Sequence, residues 1–296
     1  MNEDDSDRTM ECDMNVITSP DNRIYKGASQ LKLKKHRDEL SQYLIEGTNL
    51  IREALAEGGT IKTLILSEDY GRYRDATGNA TSAEALAIAK EAEFEAERAG
   101  APIIVLTSQL FRKLSDTETP QGIMAVVEKK KYSEAEFFGS ASATNLIVLD
   151  RLQDPGNIGT ILRTADAAGY MGAILLKGTA DIYSPKIVRA AAGSLFRLPV
   201  FMTETPEQTI RLLRNYNKKM ICTTLDTDHY YYDVNLAQDA AVIIGNEGNG
   251  VCNEFIKDSD LQVKIPMEGT IESLNAAVAA GILMYESVRQ RHKNVL

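Results

Sequence analysis

The chain of 296 residues is 44% hydrophobic and 25% charged, with a formal net charge of −9; this composition excludes disorder throughout, and the length predicts two domains. Its longest apolar runs, such as Asn145 to Leu149, fall far short of the ~18 residues of a membrane-spanning helix, and its first residues are acidic where a secretory signal is basic. Three scattered cysteines (Cys12, Cys222, Cys252) and three histidines build neither a disulfide framework nor a zinc site, so a cytoplasmic protein without a metal is expected, and the acidic sum argues against a nucleic-acid partner.

Taken along the chain, the sum separates by region. Residues 1–25 hold seven acids against Arg8 and Arg23, more than half of the net charge, and residues 1–21 read as an acidic flexible tail. Residues 26–37 then carry Lys26, Lys32, Lys34, Lys35 and Arg37 with no acid. Such a run is either a solvated helix face or an edge that contacts phosphate. A first section of strands and helices follows: strand Tyr43 to Glu46, helix Thr48 to Glu57, strand Ile61 to Ser67, an acidic exposed helix Ser82 to Ala99, strand Pro102 to Thr107, helix Ser108 to Leu114 and strand Gly122 to Glu128. This alternation predicts a small α/β domain over residues 22–130, and residues 131–144, where periodicity is lost, read as a linker.

The second section, residues 145–296, opens with the apolar run ending at Asp150, suited to a parallel strand covered on both faces. Helix Gly159 to Ala168, strand Ala173 to Lys177, helix Pro185 to Phe196, strand Pro199 to Thr203, helix Pro206 to Tyr216, strands Met220 to Leu225, Ala241 to Gly245 and Gln262 to Ile265, and helix Ser273 to Arg291 complete it. This is a doubly wound α/β pattern, in which ligands sit at the carboxyl ends of strands.

Three loops at such ends carry chemistry. The first, Arg151 to Asp166, lacks the third glycine of a dinucleotide fingerprint; Asn157 stands where it could cap the helix, and Arg163 has Asp166 as a helical neighbour. The second, Gly245-Asn-Glu247-Gly-Asn-Gly250, has glycines that let a ligand approach the backbone, with Glu247 either solvated or paired with a base such as Arg163. The third, Ile265-Pro-Met-Glu-Gly-Thr-Ile-Glu-Ser273-Leu-Asn275, enters the last helix, for which Ser273 is a reasonable N-cap.

Singly these loops are weak signals. In order and spacing, Asn157 with Arg163, the GxExxG of residues 245–250 and the IPMxGxxxSLN of residues 265–275 resemble the three signature motifs of the SpoU/TrmH family, RNA ribose 2′-O-methyltransferases of the SPOUT superfamily. The likeness is close over residues 145–291 and looser over the first section, which is similar to the ribosomal-protein-like substrate-binding domain of many members. The resemblance implies a C-terminal SPOUT α/β fold with a mainly parallel sheet and a deep trefoil knot, preceded by a small α/β substrate-binding domain, and a homodimer through the knotted domain. It implies S-adenosylmethionine as methyl donor, held near Thr224, Gly245, Asn246, Ile265, Met267 and Leu274. Arg163 becomes the catalytic arginine, with Asn157, Glu247, Ser273 and Asn275 orienting it and the ribose. Its role stays open between general base, which is awkward because a guanidinium holds its proton, and fixed cation that stabilises charge on the 2′-oxygen. The partner implied is RNA, with Lys32, Lys34, Lys35 and Arg37 on its phosphates; a substrate-binding domain favours ribosomal RNA of the large subunit over transfer RNA. A catalytically inactive RNA-binding relative and a nucleotide-dependent oxidoreductase are the competing readings.

Overall fold

A computed structural model of the chain describes residues 16–70, 83–139, 145–271 and 273–293. Most of the expected tail (1–15) and the last part of the expected linker (140–144) lie outside the described residues. The first half of the chain runs α1 (Arg23–Gln30), α2 (Lys34–Leu40), β1 (Gln42–Glu46), α3 (Thr48–Ala56), β2 (Ile61–Ser67), α4 (Ala83–Arg98), β3 (Ile103–Leu106), α5 (Ser108–Leu114), β4 (Ile123–Glu128) and α6 (Glu134–Phe138). The second half runs β5 (Leu146–Asp150), α7 (Pro155–Ala167), β6 (Gly172–Leu176), α8 (Pro185–Ala191), α9 (Ser194–Arg197), β7 (Val200–Thr203), α10 (Pro206–Asn215), β8 (Lys219–Thr223), β9 (Ala240–Gly245), α11 (Asn253–Asp258), β10 (Leu261–Val263) and α12 (Ala276–Lys293). Two compact units result, one from residues 1–31, 44–52 and 60–127, the other from 32–43, 53–59 and 128–296. The second therefore includes α2 and the end of α3, which the sequence reading assigned to the first.

The smaller unit is built on a four-stranded sheet in the order β1-β4-β2-β3, with β3 parallel and β4 antiparallel to β2. Ile65, Leu106, Phe111 and Met124 fill one side of it. Within the end of the expected tail the Ile17 N–H donates to the Val105 carbonyl at 2.8 Å, and Asn22, the first residue after it, caps α1 with its side chain.

The larger unit holds a six-stranded sheet, β10-β8-β9-β5-β6-β7, parallel throughout. Every residue of β5 is fully buried, as its unbroken apolar run requires when helices cover both faces. Ile147 and Leu149 meet residues of α7 and α12 on one face, while Leu146 and Val148 meet α10, α11 and Phe137 on the other. Strand order reverses between β5 and β9, whose ends Asp150 and Gly245 stand opposite each other; this is the switch point at which such sheets bind ligands.

Four expectations need correction. The linker contains α6, stabilised by a capping box in which Ser133 and Glu136 bond each other's backbone, and Phe137 is buried in the core beside it. The helix expected over Pro185 to Phe196 breaks into α8 and α9 because Ala192 and Gly193 both take positive φ. Asn157 does not cap α7; Asp154 does, accepting from the Asn157 N–H at 2.8 Å with Pro155 in the first turn. Nor does Ser273 cap α12, since Asn275 accepts from the N–H groups of Ala277 and Val278.

Candidate active site

The three loops meet at the carboxyl ends of β5, β9 and β10, held there by a chain of side-chain hydrogen bonds. Asn275, at the start of α12, donates its amide to Oδ1 of Asn157 at 2.8 Å. Asn157 in turn donates to Oε1 of Glu247 at 3.1 Å. Glu247 then accepts the main-chain N–H groups of Gln153 and Asp154, each at 3.1 Å. Each loop thus contributes one member, and each member has both ends engaged, as a polar network in a partly buried place requires. Burial pushes the Glu247 carboxyl up, but the Asn157 amide and the Gln153 and Asp154 N–H groups outweigh it and hold the group below its ordinary value.

Packing of backbone against backbone shapes the rest. A Cβ added to Gly245 would stand 2.1 Å from the Gly250 carbonyl carbon, so only glycine closes the second loop; Asn246 locks it by donating to the Arg151 carbonyl and accepting from the Gly248 and Asn249 N–H groups. A Cβ on Gly159 would stand 2.3 Å from that of Ala190, which fixes the close approach of α7 to α8. Asp150, fully buried, accepts from the Cys252 N–H at 2.7 Å and the Arg151 Nε at 2.7 Å, tying the first loop to the segment after the second.

Not every expected residue joins this network. Arg163 is exposed on α7 and makes no hydrogen bond or ion pair among the described residues; Asp166, its expected neighbour, pairs with Arg197, and Glu247 is engaged elsewhere. The six positions from Asn157 to Arg163 turn the helix by about 600°, which leaves the two side chains on different faces. Ser273 is exposed and likewise without a partner among the described residues. Residues not foreseen are Asp154, Gln153 and Asp150. For Asp154 the signal was in plain view, since Asp before Pro is a helix start; Asp150 and Gln153 act through contacts that no local pattern encodes.

Three of the six positions expected to hold S-adenosylmethionine present main-chain donors beside apolar surface. Ile265, Met267 and Leu274 are half-buried, and among the described residues no hydrogen bond engages their main-chain N–H groups, so apolar surface and free donors occur together. Thr224 turns its hydroxyl to the Asp226 N–H at 3.2 Å, and its own N–H donates to the Val263 carbonyl. Among the described residues no group of three His, Cys, Asp or Glu stands close enough to hold a metal ion, and no helix is long and apolar enough to cross a membrane.

Of the basic run, Lys34 and Lys35 are exposed, paired along α2 with Asp38 and Glu39. Arg37 departs from expectation. Its side chain is 5% exposed, both Nε and Nη2 donate to Oδ2 of Asp181 at 2.9 and 2.6 Å, and Nη1 donates to the Lys32 carbonyl. It is a structural ion pair, and its guanidinium is not presented to phosphate.

The SpoU rRNA Methylase family profile matches residues 144–285, and that of the MRM3-like substrate binding domain matches residues 22–125. The chain is 34% identical to the 23S rRNA (guanosine(2553)-2′-O)-methyltransferase RlmP of Bacillus subtilis, over 92% of this chain and 98% of that one. It is 30% identical to the 23S rRNA (uridine(2479)-2′-O)-methyltransferase of Streptomyces viridochromogenes, over 93% and 92%. Among solved structures it superposes with TM-score 0.80 and 30% identity on the AdoMet-bound rRNA methyltransferase of Sinorhizobium meliloti, covering 93% of this chain and 97% of that one.

Proposed function

Because this chain belongs to the SpoU rRNA methylase family, we infer that it transfers a methyl group from S-adenosylmethionine to a ribose 2′-hydroxyl of ribosomal RNA of the large subunit. The observation that carries the reading is the Asn275–Asn157–Glu247 chain, which brings one residue of each motif to the ends of the parallel strands. S-adenosylmethionine, when bound, supplies an electrophilic methyl on a sulfonium. The protein's task is then to align the ribose hydroxyl with it and to stabilise the negative charge that grows on the 2′-oxygen.

Within this reading each residue has a physical role. The backbone of Gly245, Ile265, Met267 and Leu274 receives the donor molecule, with Thr224 and Asn246 shaping the adjoining turns. Asn157, Glu247 and Asn275 fix the three loops relative to one another. Arg163, an exposed guanidinium without a partner among the described residues, acts as a fixed cation and double donor toward the 2′-oxygen, the role that suits a planar fork of donors. Ser273, exposed at the mouth of the third loop, contacts the incoming ribose or phosphate. Lys32, Lys34 and Lys35 supply phosphate contacts, and a ribosomal RNA substrate implies a cytoplasmic enzyme.

The same reading includes a trefoil knot in the C-terminal loops and a homodimer. The dimer is supported by α12, on which Val278 and Tyr285, seven positions apart and so on one face, are each 52% exposed. Light scattering is expected to give twice the chain mass for wild type and the single mass for Val278→Glu/Tyr285→Glu. For the activity itself, label from S-adenosylmethionine should enter 23S ribosomal RNA with wild type and not with Arg163→Ala; label in neither refutes the assignment.

A further inference from the structure

A cleft of about 420 Å³ opens along β7, the edge strand of the parallel sheet, entirely within the larger unit. The apolar lining of its floor includes Val200 and Met202, two positions apart on β7 and so on one face of the sheet, the latter 56% exposed. Its rim is basic: Lys129, Lys130 and Lys131 follow β4, and Lys34 stands across from them on α2.

The four lysines have different tasks. Lys129 donates to Asp38 at 2.7 Å and lies over the Tyr183 ring at 4.6 Å, while Lys130 donates to the carbonyls of Glu57 and Phe196 at 3.0 and 2.9 Å. These two hold the walls. Lys131 is exposed with no partner among the described residues, and Lys34 pairs with Asp38 at the surface, both side chains about half exposed or more. An exposed pair contributes little in water, so Lys34 can exchange Asp38 for a phosphate. The other acid on the wall, Asp181, is already neutralised by Arg37.

The back of the cleft connects to the catalytic loop. Residues 179–183 form its wall, and the same segment grips the first loop: the Ala180 N–H donates to the Leu152 carbonyl at 2.9 Å, the Thr179 hydroxyl to the Leu149 carbonyl at 3.2 Å, and the Gly178 carbonyl accepts Nε2 of Gln153 at 2.5 Å. Gln153 is also a donor to Glu247. A chain bound in the cleft therefore lies one loop away from the catalytic network.

We propose that this cleft is an RNA subsite that takes an unpaired nucleotide flanking the methylated one, its base against the apolar floor at Met202 and its phosphates on Lys131 and Lys34. An apolar floor with a basic rim matches a splayed-out nucleotide, which offers a flat base and a charged backbone together, and the volume lies in the range of sites for single small molecules, far too small for a duplex. The proposal rests on RNA being the substrate.

The test uses the full chain and a fluorescein-labelled uridine 12-mer, with affinity measured by anisotropy across a salt series. Lys131→Ala and Lys34→Ala are each expected to weaken binding roughly fivefold and to lower the salt slope by about 1; Met202→Glu, at an exposed position, is expected to weaken it roughly tenfold by placing an acid on the floor. Lys257→Ala, on α11, serves as the control and should bind as wild type does. Cleft variants that match the control, or a wild type that does not bind the 12-mer, overturn the subsite. Methyl transfer to 23S ribosomal RNA, assayed on the same preparations, keeps the two readings apart: binding that depends on the cleft without transfer by wild type defeats the methylase assignment alone, and transfer with unaltered binding in the cleft variants defeats the subsite alone.

Discussion

Asn275 donates its side-chain amide to Oδ1 of Asn157, 118 positions earlier in the chain, across 2.8 Å. Asn157 is 8% exposed and its amide continues to Glu247, so one side chain holds the first, second and third loops in register.

Replacing Asn157 with alanine removes its hydrogen bonds to the exposed Asn275 and to the exposed carboxylate of Glu247, a cost of about 1–3 kcal/mol with one of the two partners charged. The account predicts methylation slowed about tenfold or more in single-turnover assays and a melting temperature lowered by a few degrees. Asn157→Asp should be worse than alanine for activity, since it sets a second carboxylate against Glu247. Full activity in either Asn157 variant contradicts the role given to the network.

Arg163→Ala is predicted to separate chemistry from folding. The side chain is exposed and unpartnered among the described residues, so stability should stay within about 0.5 kcal/mol of wild type, and S-adenosylmethionine affinity by calorimetry should be unchanged. Loss of a donor to a developing oxyanion costs roughly 100- to 1,000-fold in rate. A wild-type pH profile without a titrating limb between about pH 7 and 9 agrees with a fixed cation; a limb there that the alanine variant lacks identifies a base instead.

Glu247 makes a pH prediction with a definite sign. Its carboxyl is held below the ordinary value of 4.5 despite burial, because Asn157, Gln153 and Asp154 donate to the ionised form. A carboxylate so lowered contributes stability that is fully present above its unfolded value and is lost as pH falls through the folded one. Urea melts of wild type and Glu247→Gln should therefore differ most near neutrality and converge once pH drops below the ordinary carboxylate range. A difference that grows on acidification contradicts the assignment.

Arg37→Ala should unfold before it affects RNA. The change strands Asp181, 12% exposed, without its cation, and breaking such a pair from one side costs about 3–5 kcal/mol. Thermal melts should show the loss, and Arg37→Ala/Asp181→Ala should recover part of it. Lys35→Ala, at an exposed position, is expected to change RNA binding with no shift in melting temperature.

The strands of both units and the three loops were legible from periodicity and from the spacing of Asn157, Glu247 and Asn275. What the sequence conceals is pairing at a distance. The tie between Arg37 and Asp181 spans 144 positions, and no local pattern distinguishes a buried arginine from its exposed neighbours Lys34 and Lys35. Likewise the caps moved by a few residues because Asp154 and Asn275, not Asn157 and Ser273, have a side-chain oxygen in reach of the free N–H groups; propensity alone ranks all four as acceptable. The helix α6 was missed because its five residues show no period, although Ser133 and Glu136 carry the capping-box spacing.

The central claim, transfer to a ribose 2′-hydroxyl, is tested most directly by alkaline hydrolysis of 23S ribosomal RNA labelled with the enzyme and radioactive S-adenosylmethionine. A methylated 2′-oxygen cannot attack the neighbouring phosphate, so the linkage survives. The account predicts that the label is recovered in a single alkali-resistant dinucleotide with wild type and is absent with Arg163→Ala; label recovered in mononucleotides places the methyl on a base and contradicts it.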